Sequence, residues 1–164
     1  MALKGDYDKG TMSEISFFCN DTTADRGGCM VISTVGSGVA LDQSAAVATY
    51  AADPSGKAPL GILMCDVVNK DLTQTHLDWY KYEVQTGSKV EICGQGWFTT
   101  DRIYPGSTPA AGNPAYVAHS GYISPTRGTS GQWPLIGQFR SSKDENGFAK
   151  VYVNVPTQAN SAYN

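Results

Sequence analysis

A chain of 164 residues with a net charge of −3 and only 16 % charged side chains has the length of one domain with a full core. It carries no Lys/Arg cluster, which excludes duplex nucleic acid as a direct partner, and no stretch nears the ~18 apolar residues of a membrane helix. Abundant Gly (18) and Pro (8), with Tyr (9) above Phe (5), favour short strands joined by many turns. Soluble domains usually carry about 25 % charged residues. The deficit suits a chain that hides surface in an assembly, and equally a turn-rich secreted β-domain.

Residues 1–16 are polar, of mixed charge and without periodicity. They read as an extended arm rather than a strand, either disordered or ordered by a neighbouring subunit. The apolar patch Ser16-Phe-Phe-Cys19 closes that arm, which is set at residues 1–18. The first ten residues lack the apolar segment of a signal peptide, so synthesis in a cytoplasm and free thiols are expected. Cys65 and Cys93 stand in strand-like runs and are expected to be buried as small hydrophobes. Cys19 and Cys29 bracket a polar loop, and a disulfide between them stays open.

Strand signals follow in order. Cys29-Met-Val-Ile-Ser33 is apolar and β-branched, and Val39-Ala-Leu41 and Val47-Ala-Thr-Tyr50 flank a small turn. Ala52-Asp-Pro-Ser-Gly-Lys57 carries strong turn chemistry. Leu60 to Val68 is the longest apolar run, and its lack of alternation predicts burial on both faces. Asp71 to Glu83 has few β-branched residues. Leu72, His76 and Tyr80 fall at i, i+4 and i+8, with Asp71 as a cap, which predicts a short helix or an ordered loop. This segment is also the most aromatic, with Trp79, Tyr80 and Tyr82.

Lys89-Val-Glu-Ile-Cys93 alternates as a half-buried strand does, and Gly94-Gln-Gly96 predicts a bulge or corner before Trp97-Phe-Thr-Thr100. Residues 101–114 read as loop. Ala115-Tyr-Val117 and Tyr122-Ile-Ser124 form a tight pair around His119-Ser-Gly121. The clearest hairpin joins Leu135–Arg140 to Phe148–Val155 through Ser141–Gly147, where Asn146-Gly147 is favoured turn chemistry. Residues 156–164 are a polar tail.

One phrase occurs twice. Gly38-Val-Ala-Leu precedes Ala58-Pro59-Leu60-Gly61-Ile62-Leu63, and Asn113-Pro114-Ala115-Tyr116-Val117 precedes Trp133-Pro134-Leu135-Ile136-Gly137-Gln138-Phe139. Two copies suit two related β-units rather than a solenoid. The fold expected is mainly β: a small β-barrel or β-sandwich of short strands with long Gly/Pro-rich loops and at most one or two short helices. The arm at 1–18 precedes a single β-rich domain with two related halves at 19–155, and the polar tail follows at 156–164.

No constellation of residues points to catalysis. The two histidines, His76 and His119, stand in different segments and form no short-spaced ligand pair of the kind zinc sites use. No nucleophile-elbow, phosphate-loop or dinucleotide-binding string occurs. Asp144-Glu145 lies in a hairpin turn, where acids are ordinarily just solvated. Asn20-Asp-Thr22 fits the glycosylation pattern, which is a chance match in a cytoplasmic chain. No enzymatic activity, cofactor or metal is expected.

Several motifs keep a particular order. Gly36-Ser-Gly-Val-Ala-Leu-Asp-Gln-Ser-Ala45, Tyr50-Ala-Ala-Asp-Pro-Ser-Gly56, Pro59-Leu-Gly-Ile-Leu63 and Asp66-Val-Val-Asn69 come first. Lys89-Val-Glu-Ile92, Gly96-Trp97 and Gly137-Gln-Phe-Arg-Ser-Ser-Lys-Asp-Glu-Asn-Gly147 follow. From about Ser16 to Val155 this order resembles small virion structural proteins of tailed bacteriophages, particularly capsid decoration (cement) proteins of aquatic phages. The resemblance implies a β-rich module, commonly a homotrimer, on the outside of an expanded icosahedral shell. It would bridge major capsid protein subunits, with no catalytic residues, no direct nucleic acid and no membrane. Made in the host bacterial cytoplasm, it would reside on the virion exterior. Within that reading Leu3, Tyr7, Met12, Ile15, Phe17 and Phe18 of the arm are candidate capsid contacts, and Trp79, Tyr80, Tyr82 and Trp97 are candidate interface aromatics. The competing reading is a receptor- or glycan-binding adhesin of a head fibre or tail, with those aromatics stacking on sugars.

Overall fold

The computed structural model describes residues 3, 13–14, 17–34, 47–70, 82–128 and 132–155. The fold is mainly β, two curled sheets packed face to face with a short ribbon on the outside. The first sheet runs in the order β1 (Ser13–Glu14), β8 (Ile92–Cys93), β5 (Pro59–Leu63), β3 (Cys29–Thr34), β4 (Val47–Thr49), β2 (Phe18–Cys19). The second runs β11 (Ile123–Ser124), β10 (Pro114–Val117), β12 (Leu135–Phe139), β13 (Ala149–Asn154), β9 (Gln95–Thr100). The ribbon pairs β6 (Asp66–Val68) with β7 (Glu83–Gln85). Ladders are antiparallel except β2–β4 and β6–β7.

Side-chain alternation along the strands builds two cores from the first sheet. Cys29 and Val31 of β3, Ile62 of β5 and Cys93 of β8 join Phe98, Val117, Ile136, Phe139, Val151 and Val153 of the second sheet in the principal core. Met30, Leu63 and Ile92 lie in the other core with Cys19, Ala48, Cys65, Val67 and Val90. The first sheet is therefore a middle layer. That is why the run from Leu60 is apolar at nearly every position, as expected for a strand buried on both faces. The run is not one strand, however. β5 ends at Leu63, and the chain leaves the sheet through Met64 and Cys65 to enter β6. Val67 exchanges backbone hydrogen bonds with Ala24 (2.7 and 3.1 Å), and the Asp66 carboxylate accepts the Arg26 amide at 2.7 Å. Those partners hold β6 against the 24–26 loop.

The Gly94 corner carries the chain from β8 in the first sheet to β9 in the second, and the Val155 amide closes it by donating to Gly94 O at 2.9 Å. The pair around His119–Gly121 forms as β10 and β11 across a 3-10 turn, and the terminal hairpin forms as β12 and β13. The echoed Pro-led segments become β5 and β12, one in each sheet.

Three expectations are corrected. Within 1–18, the described residues belong to the domain: Ser13–Glu14 pairs with β8, Leu3 bridges Thr100 and is 4 % exposed, and Phe18 opens β2. Apolar pattern did not mark β1, because an edge strand needs only backbone partners and tolerates polar side chains. Glu83, the last residue of the expected helix or loop, opens strand β7. The half-buried strand expected from Lys89 shortens to Ile92–Cys93, while Lys89 only bridges Phe18 and the Val90 amide donates to Phe17 O. The expected helix or loop over residues 71–81, the strand at 39–41 and the tail at 156–164 lie outside the described residues.

None of the four cysteines is in a disulfide, and all four are buried. Among the described residues no helix is long and apolar enough to cross a membrane.

Candidate functional site

Among the described residues two large hydrophobic side chains are prominently exposed, Tyr82 at 60 % and Trp97 at 41 %. Both were expected at an interface, and they stand in separate elements. Tyr82 precedes β7 with a left-handed φ of 58°. Its carbonyl accepts the Asp66 amide at 2.8 Å, and the Arg26 guanidinium lies 5.8 Å over its ring. The ladder bond through Asp66 holds this conformation, which a non-glycine residue adopts only at a cost.

Trp97 lies on the outer face of the second sheet. In β13 Val151 and Val153 are buried while Lys150, Tyr152 and Asn154 alternate with them. Register then aligns Trp97 of β9, Tyr152 of β13, Gln138 of β12 and Pro114 of β10 in one row across four strands. The Trp97 and Tyr152 rings lie 4.8 Å apart at 46°. Arg140, just past β12, places its guanidinium 5.3 Å from the Trp97 centroid and 5.5 Å from that of Tyr152. The result is a cation held over two rings, a contact worth about 0.5–1 kcal/mol at an exposed position. The Gln95 amide reaches the Tyr152 hydroxyl at 3.5 Å.

Arg140 also borders a recess of about 500 Å³ formed with Thr99, the 141–144 turn, Phe148 and Lys150. A second recess of about 570 Å³ lies between the 104–108 loop, Asn113 and Pro125-Thr126, beside a Tyr104–Trp133 edge contact at 5.5 Å.

Phe17 and Phe18 are half-buried. Leu3 lies within the principal core and offers no outward surface. Tyr7, Met12, Ile15, Trp79 and Tyr80 lie outside the described residues. The sequence missed Tyr152 and Arg140 as companions of Trp97. The Lys150/Tyr152/Asn154 alternation was a usable signal for the outward face of β13, but the β9–β13 register that sets Trp97 opposite Tyr152 is a long-range fact.

Thiol chemistry is suppressed. Burial pushes the Cys19 thiol up to about 11, with the nearby Asp21 carboxylate adding to the rise, and burial raises Cys29 and Cys65 as well. These thiols are protonated at neutral pH and therefore poor nucleophiles. Among the described residues no group of three or more His, Cys, Asp or Glu side chains is placed to hold a metal ion. The outer face of the second sheet thus carries a partly exposed indole with a guanidinium placed over it and over Tyr152.

Comparison with known protein families finds no matching family model, and comparison with curated proteins finds no matching relative.

Proposed function

We propose that this protein decorates the exterior of a tailed-bacteriophage capsid and stabilises the expanded shell by bridging major capsid protein subunits. The observation that carries the proposal is the order of the motifs from Ser16 to Val155. Several of them are structural parts of one β-domain: Pro59–Leu63 is β5, Gly96-Trp97 lies in β9, and 137–147 spans β12 and its turn. Few charged residues and exposed aromatics on a two-sheet body suit a protein that works by contact. Many symmetric copies let each subunit contribute a modest interface.

Purified protein added to capsids stripped of it, imaged by cryo-electron microscopy, is expected to give regular density on the outer shell, with three-fold symmetry if it acts as a homotrimer. Bare shells would overturn the proposal. Deleting residues 1–18 is a poor test, since it takes Leu3 from the core and β1 from the sheet. Substituting Tyr7 and Met12 by serine changes neither Leu3 nor Ser13–Glu14 and asks whether the N-terminal segment contributes to occupancy.

A further inference from the structure

We propose that the recess beside the Trp97–Tyr152 pair binds a saccharide bearing a carboxylate, of the uronic or sialic acid class. The proposal rests on no part of the capsid reading, because it concerns the outer face of one sheet in the isolated protein.

The base of the site is fixed. The Arg140 amide donates to Lys150 O at 2.7 Å, and the Lys150 amide donates to Ser141 Oγ at 2.8 Å, so the two cations are anchored on paired backbone. The Arg140 guanidinium is held over two aromatic rings. A guanidinium oriented in this way presents a planar set of N–H donors to an approaching carboxylate, which two parallel hydrogen bonds satisfy. Lys143 and Lys150 border the same recess. The one carboxylate there, Asp144, turns Oδ1 to the amides of Asn146 and Phe148 at 2.9 and 2.8 Å. Three cations against one engaged acid form a local positive excess on a chain of net charge −3, so the recess favours an anion.

The other lining groups select the kind of anion. Ser141 accepts the Lys150 amide through Oγ, which leaves its hydroxyl proton to donate. Ser142 adds a hydroxyl, and Phe148 adds an apolar wall. Trp97, two residues before Thr99 in β9 and 41 % exposed, stands outside this lining with the Arg140 guanidinium over its ring. The volume of about 500 Å³ falls within the ordinary range of small-ligand sites. A bare anion would use the cations and leave the hydroxyls and the apolar wall without a role. A neutral glycan would use the hydroxyls and the apolar wall and leave the positive excess unanswered. A sugar acid uses both sets.

The test is isothermal titration of the full-length protein with trigalacturonate and with sialyllactose, against lactose and triglutamate. At least one acidic saccharide is expected to bind, roughly tenfold or more tighter than either control, and to weaken as salt rises. Arg140→Gln, a change on an exposed side chain, is expected to weaken it by about tenfold or more. Trp97→Phe, which keeps an aromatic ring in β9, is expected to weaken it less. Absence of binding by both acidic saccharides would overturn the proposal. Triglutamate binding as tightly as the saccharides would overturn it in favour of a plain anion surface, and so would full affinity in Arg140→Gln.

Discussion

Gly61 and Gly137 occupy matching places in the two echoed segments, and both stand where a neighbouring backbone comes too close for a side chain. A Cβ on Gly137 would lie 1.9 Å from Tyr152 O and 3.0 Å from Val153 Cα, and one on Gly61 would lie 2.2 Å from Cys93 O. These are ladder carbonyls and cannot swing aside without parting the strands. Gly147 differs: its φ of +84° favours glycine, but nothing lies within 4 Å of its Cβ position. Gly137→Ala should therefore cost about 3 kcal/mol or more, the upper range of overpacking. Gly147→Ala should cost only the left-handed strain of about 1 kcal/mol. Urea unfolding midpoints measure both, and equal effects would contradict the steric reading. The repeated glycine thus has a physical meaning at the level of single atoms: it is the point where an adjacent strand makes its closest approach.

Among the elements, the β12–β13 hairpin shows how a local signal becomes structure. Asp144 is the organiser of its turn, accepting the Asn146 and Phe148 amides through Oδ1 while its own amide donates to Phe148 O at 2.8 Å. Asp144→Ala should lower stability by about 1–2 kcal/mol, because two amides lose a charged acceptor. Asp144→Asn keeps an acceptor oxygen and should recover most of that loss, read as the shift in thermal midpoint. A result in which Asn is as damaging as Ala would locate the effect in charge rather than in turn geometry. This hairpin, the β10–β11 pair and the Gly94 corner were legible because turn chemistry and alternation lie within a few residues of one another. β1 and β7 were not, since Ser13-Glu14 and Glu83-Val-Gln85 earn their place by pairing with strands 78 and 17 residues away in register, as Glu14↔Ile92 and Asp66↔Glu83 show. The site was legible to the same extent: Trp97 stood out as an aromatic, whereas its union with Tyr152 and Arg140 needed the sheet.

For the whole molecule, the middle-layer position of the first sheet has a thermodynamic consequence. Its strands carry thiols into both cores, Cys29 and Cys93 into one and Cys19 into the other, where Cys65 joins it from the link after β5. Burial raises Cys19 from an ordinary value of 9.0 to about 11, and it also raises Cys29, Cys65 and the Tyr50 phenol, whose hydroxyl donates to Asp25 O. Each of these groups is neutral when protonated. Below the unfolded thiol value both states hold the proton, so stability is independent of them. Above it the unfolded chain releases protons that the folded chain keeps, and stability falls as pH rises. The window opens near pH 9 and, for Cys19, closes near 11; Cys29 and Tyr50 extend it upward. Each buried thiol inside the window adds a slope that approaches about 1.4 kcal/mol per pH unit. Urea midpoints under reducing conditions should therefore be level between pH 7 and 8 and then decline steadily to pH 11. Cys29→Ala removes a wholly buried thiol and should make that decline less steep by one group's share, whatever its effect on the midpoint at pH 7. A level profile to pH 11 in the parent, or an unchanged slope in the variant, would mean that the interior readily accommodates thiolates, contrary to a sheet enclosed on both faces.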